Sequence, residues 1–96
     1  MKVYISGSMT GLTEHRIKHH FGEAEKYLRQ EGFVPINPAV LQGVPGLEYD
    51  EYMAIDFAML SICDAIYMLR GWEDSPGAKL ELEQALKNDK KIILEK

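Results

Sequence analysis

The stretch GWEDSPGAKLELEQA, residues 71–85, holds several acidic side chains of very different prospects. A carboxylate can be a surface charge, a helix cap, a general base or a nucleophile, and spacing separates these cases. On a helix starting near Pro76, with Ser75 or Asp74 as N-cap and proline suited to the first position, the core face is Ala78, Leu82, Ala85 and Leu86. Glu83 points away from that face, with Lys79 at i−4 and Lys87 at i+4, and reads as a solvated, ion-paired surface residue. Glu81 lies on the flank of the core face. Its neighbours one turn away are Gly77, Ala78, Gln84 and Ala85, so no cation on its own helix can pair with it. Helical side chains lean toward the N-terminus, so its carboxylate hangs over Gly77, where the missing side chain leaves room for a ligand. The alternative is a boundary glutamate bonded to a backbone amide.

Asp56 is the only charge in YMAIDFAMLSIC, residues 52–63. Among so many apolar neighbours it must be paired, hydrogen-bonded or protonated, which suits a functional group or a structural hydrogen bond. Asp64, at a helix-to-strand junction, reads as a turn residue. Asp74 and Ser75 either cap the helix or face a ligand, and Trp72 either packs or offers a base a stacking face. The loop SGSMTG, residues 6–11, contributes Ser6, Gly7, Ser8 and Gly11. It lacks the ending of a P-loop and the third glycine of a dinucleotide fingerprint. Backbone N–H groups at a strand-to-helix junction nevertheless attract anions, and Arg16 follows on the next helix. The loop is therefore either a tight turn or a phosphate cradle. His15, His19 and His20 have no carboxylate or cysteine at ligand spacing, so neither a metal nor another cofactor is expected.

The elements that must position these residues follow from periodicity. KVYIS (2–6) is an apolar run, and Ile17, Phe21, Ala24 and Leu28 form one stripe of a helix from about Thr13 to Gln30, which Gly32 is placed to end. FVPIN (33–37) reads as a second strand, followed by an irregular connection over 39–48 containing Gly43, Pro45 and Gly46. A second helix, about Asp50 to Cys63, carries Tyr52, Ile55, Met59 and Ile62 on one face. AIYMLR (65–70), a helix over 76–88 and KIILE (91–95) complete the chain.

Alternating strands and helices with continuously apolar strands predict a parallel sheet covered on both faces. Right-handed crossovers favour a four-stranded sheet of order 2-1-3-4 in a three-layer α/β sandwich, flavodoxin/Rossmann-like. Ligands in such sheets bind at the carboxyl ends of strands beside the point where chain direction reverses. The loops there are SGSMTG and RGWEDSPG.

Composition bounds the function. With 96 residues, 46% hydrophobic and 27% charged, the whole chain (1–96) is expected to be one soluble domain. A net charge of −4 and the absence of a Lys/Arg block argue against nucleic acid as a partner. The single cysteine, Cys63, and the lack of a signal or membrane-spanning stretch point to the cytoplasm. Leu80 lies nearly opposite Leu82 and Leu86 on its helix, so one sheet cannot bury both sides, and a homodimer or larger closed assembly is expected.

KVYISGSMTG, then Asp56 and Asp64 before an apolar strand, then D-S-P-G-A-x-x-E-x-E-x-A, resembles the nucleoside 2-deoxyribosyltransferase family over nearly the whole chain. It is most similar to a small branch common in phage and bacterial genomes and known mainly as a domain of unknown function. The resemblance implies that Glu81 is the nucleophile, that Tyr4 is the family's first-strand tyrosine, and that Asp56 orients the sugar. It makes Asp74 the loop aspartate, with Pro76 lengthening that spacing by one. The family's glycine two residues after the nucleophile is Glu83 here, and its threonine is Ala78. The implied reaction is attack of Glu81 on the anomeric carbon of a nucleoside or nucleotide, giving a glycosyl-enzyme ester. The sugar then passes to water or a second base, with Asp56 and Asp74 holding its hydroxyls. A non-catalytic nucleotide-binding module that keeps the pocket is the runner-up.

Overall fold

A computed structural model describes residues 1–9, 11–41 and 44–96. Thr10 of the SGSMTG loop, and Gln42 and Gly43 of the connection that follows the second strand, lie outside the described residues. The elements are β1 (Lys2–Ser6), α1 (Glu14–Gln30), β2 (Val34–Ile36), α2 (Tyr49–Ser61), β3 (Ala65–Met68), α3 (Pro76–Lys87) and β4 (Lys91–Leu94), with 3₁₀ turns at Pro38–Leu41 and Trp72–Asp74.

Local chemistry sets the helix ends. The Thr13 hydroxyl accepts the Arg16 N–H at 3.1 Å and opens α1. Gly32, at φ +85°, lets the chain turn out of α1, with its N–H on the Arg29 carbonyl and the Phe33 N–H on that of Leu28. Ser75 caps α3 by accepting the Ala78 N–H at 3.1 Å, and Pro76 takes the first helical position. At the far side of the sheet, Asp64 accepts the Lys2 N–H at 2.8 Å and ties the start of β3 to the start of β1, a turn residue as expected.

All strand pairs are parallel and the order is β2-β1-β3-β4. This is the doubly wound α/β sandwich anticipated from strand and helix alternation. Successive strand residues face opposite layers. Val3, Ile5, Ala65 and Tyr67 pack under α1 against Ile17, Phe21, Ala24 and Leu28. Tyr4, Ile66 and Met68 face α2 and α3, meeting Leu60, Ala78 and Ala85. Among the described residues no helix is long and apolar enough to cross a membrane.

Two helices turn differently from their expected faces. On α2 the buried residues are Met53 and Leu60, with Met59 partly buried against the core, whereas Ile62 is exposed. Apolar residues surround this helix on most sides, so hydrophobicity alone does not choose a face, and the face chosen is the one that holds Asp56 one turn from Met53 and Leu60. On α3 the buried stripe is Ala78, Glu81 and Ala85, while Leu86 is 59% exposed and Leu82 only half-buried. Glu81 thus occupies the stripe itself rather than its flank. Leu80 remains exposed on the outer side of α3.

Candidate active site

Because Tyr4 and Ser6 are two apart on β1, both point to the α2–α3 layer near the carboxyl end of the strand. Both are wholly buried. Glu81, 5% exposed, descends from α3 onto them. The Tyr4 hydroxyl donates to Glu81 Oε2 at 2.6 Å, and the Ser6 hydroxyl donates to Oε1 at 2.6 Å. These are short, charge-assisted bonds to an ionised acceptor. Ser6, expected as a loop residue for ligand, is instead a support for the carboxylate.

Asp56 reaches the same point from α2 and hydrogen-bonds Glu81. Two carboxyl groups can share a hydrogen bond only if one carries a proton. Glu81 already receives two hydroxyl donors, so the proton belongs to Asp56, which donates it to Glu81. Burial pushes Asp56 up from 3.8 to about 7, and the charge of Glu81 and the hydrogen bond to it add to the rise. Burial also pushes Glu81 upward, while the bonds from Ser6, Tyr4 and Asp56 oppose that rise. Burial, then the charges of Glu81 and Asp56, raise Tyr4, so its phenol keeps its proton.

A cavity of about 590 Å³ opens above this cluster, within the roughly 300–1,000 Å³ typical of small-molecule sites. Asp56 and Glu81 supply its charge, and Tyr4, Gly7, Ser75 and Gly77 also line it. Gly77 lines the cavity, and a Cβ there would stand 3.3 Å from both Met53 Sδ and the Tyr49 hydroxyl, which close in on this position. Gly7 has a different reason to be glycine, since a Cβ would come within 2.8 Å of Leu69 Cδ1.

The other expected site residues lie elsewhere. Asp74 is exposed on the 3₁₀ turn Trp72–Asp74 and is not among the lining residues. Trp72 is half-buried against the Tyr4 and Leu60 cluster, so its ring packs on the core rather than facing the cavity. Ser8, Gly11 and Arg16 also lie outside the lining, with Gly11 and Arg16 exposed. Of the three histidines, His20 bonds Glu95 at 2.9 Å, and His15 and His19 are exposed.

Sequence reasoning missed the aromatic wall. Tyr49, Tyr52 and Met53 line the cavity from α2, and Pro38 and Leu41 line it from the connection after β2. Counting back from Asp56 by three, four and seven gives Met53, Tyr52 and Tyr49, so the helical spacing that placed Asp56 could also have found them. The Tyr52 hydroxyl donates to the Val44 carbonyl at 3.1 Å and pins this connection against α2.

The fold is shared with a solved structure, the CMP N-glycosidase BcmB of Clostridium botulinum, with a TM-score of 0.65 over 98% of this chain and 67% of that one. The two are 20% identical in sequence, and the likeness is one of architecture. No curated protein matches the sequence significantly. Residues 1–94 match the family described as a domain of unknown function, DUF4406, and the chain belongs to that family.

Proposed function

We propose that the protein cleaves the N-glycosidic bond of a nucleoside or nucleotide, as a nucleoside 2-deoxyribosyltransferase-like enzyme with Glu81 as nucleophile. The observation that carries this reading is the state of Glu81: a nearly inaccessible carboxylate at a cavity floor, held by the Tyr4 and Ser6 hydroxyls. Hydroxyl donors fix its orientation without neutralising it, and a carboxylate with about four lone-pair sites keeps one for attack. A lone pair of Glu81 would form the bond to the anomeric carbon as the bond to the base nitrogen breaks. Asp56, which carries the shared proton, is beside the reacting centre and can supply it to the departing base or orient a sugar hydroxyl. Water or a second base would then release the sugar with retained configuration. Fold likeness to a protein described as a CMP N-glycosidase supports the reaction class. Asp74, exposed outside the cavity lining, has no part in this mechanism.

The test is a panel of nucleosides and 5′-monophosphates, with and without a second free base, followed by chromatography of the released base. Glu81→Gln should lower turnover by on the order of 10³-fold or more while binding survives. An undiminished rate in that variant overturns the mechanism, and binding without turnover in the unmodified protein indicates a non-catalytic nucleotide-binding module.

A further inference from the structure

We infer that the cavity takes an uncharged nucleoside and discriminates against its 5′-monophosphate. The inference rests on the nucleoside-type reading above and goes on to choose between its two substrate classes.

The charge in the cavity is of one sign. Below about pH 7 Asp56 and Glu81 share one proton and the pair holds one negative charge, two once Asp56 ionises, and no Lys, Arg or His is among the described lining residues. The undescribed residues, Thr10, Gln42 and Gly43, carry no charge either. Phe21, Tyr49, Tyr52, Met53, Pro38 and Leu41 make the rest of the wall largely apolar. A phosphate dianion brought into such a space would lose hydration, face a carboxylate and find no counter-charge.

Backbone N–H groups of the SGSMTG loop, of which Gly7 and Met9 line the cavity, offer dipoles but no counter-charge, and two further features that could have offset the cost do not. The N-terminus of α3 opens on the cavity, but its donors are largely committed. Pro76 has no N–H, the Ala78 N–H goes to Ser75 Oγ, and the Lys79 N–H goes to the Ser75 carbonyl, leaving at most the Gly77 N–H. Arg16, the first cation after the SGSMTG loop, is exposed and outside the lining. A neutral nucleoside meets none of these costs. Its hydroxyls can bond Asp56 and Ser75, and its base can lie against the aromatic and methionine wall.

The experiment measures equilibrium binding to the unmodified protein with C-nucleosides, whose glycosidic carbon–carbon bond this chemistry cannot break. The probes are formycin A and pseudouridine and their 2′-deoxy forms, each with its 5′-monophosphate. For whichever base is bound, the nucleoside should bind at least about tenfold more tightly than the monophosphate at low salt. That preference should narrow as salt rises, because screening weakens the repulsion. A monophosphate that binds as tightly or more tightly overturns the inference while leaving the glycosidase reading intact. So does a preference unmoved by salt, or a monophosphate affinity that falls on Arg16→Gln, which would show the phosphate reaching α1. If none of the eight compounds binds, the nucleoside reading itself fails, and this inference with it.

Discussion

Asparagine at position 56 separates the charge of the Asp56–Glu81 pair from its shape. Asp56→Asn is nearly isosteric, and its amide N–H can still donate to Glu81. What it removes is a group whose acidity differs between folded and unfolded chains. In the fold Asp56 titrates near 7, against 3.8 when unperturbed. Between those values the native state holds a proton that the unfolded chain has released. Stability therefore falls as pH rises through that window and levels off above it. Three units at ~1.4 kcal/mol each give an upper limit of about 4 kcal/mol. Asp56 is only half-buried and its carboxyl borders an open cavity, so solvent screening reduces this to roughly 1–2 kcal/mol.

For a chain of this length each kcal/mol moves the thermal midpoint by about 4–8 °C. Asp56→Asn should therefore melt roughly 4–16 °C above the unmodified protein near pH 8, with the two curves converging near pH 4. Calorimetry across that range measures it directly, and turnover by the variant should drop in parallel. Parallel pH profiles, or a variant less stable than the parent at pH 8, would refute the assignment of the proton to Asp56.

Three further perturbations probe the site from other sides. Tyr4→Phe and Ser6→Ala each strip one donor from a buried carboxylate, and should each cost about 1–3 kcal/mol in chemical denaturation; no loss in either would contradict the support role of these hydroxyls. Gly77→Ala puts a methyl 3.3 Å from Met53 Sδ and the Tyr49 hydroxyl. It should weaken ligand binding about tenfold or more, with stability held or improved by helix propensity, and unchanged affinity would mean the ligand does not approach Gly77. Sedimentation should give a mass at least twice the 10.9 kDa chain, shifted toward monomer by Leu80→Glu; a monomeric, fully active parent would contradict the expected assembly.

Strand order and the main elements were legible because several signals agree. The β1 apolar run, the Ile17–Leu28 stripe, Gly32 and the Ser75–Pro76 start each point to the same boundaries that the structure has. The face of α2 was not legible, since Ile55, Phe57, Met59 and Ile62 compete with Met53 and Leu60 around one helix. Nor was the role of Ser6. A residue at the end of a strand reads as loop chemistry, and only the register of β1 against β3, with Ser6 opposite Met68, turns its hydroxyl beneath α3. Trp72 stayed open between packing and stacking for a related reason: an aromatic beside a ligand loop can face either way, and here it packs against the core.

The carboxylates were legible for the opposite reason, because they break the local rule. Glu81 stands between Ala78 and Ala85 on a buried stripe where an apolar side chain would pack without needing partners. Asp56 interrupts an otherwise uncharged helix. A glutamate kept for structure alone is usually matched by a cation, which offsets the cost of burying it. Glu81 is matched by two hydroxyls and a second acid, drawn from β1 and α2, so its charge is oriented but not cancelled. Ala78 and Ala85 already fill the stripe around it, which leaves packing no reason to choose glutamate. The proposed reaction would supply one, since positive charge developing at a sugar carbon would be stabilised by an anion held in place at the cavity and left uncancelled.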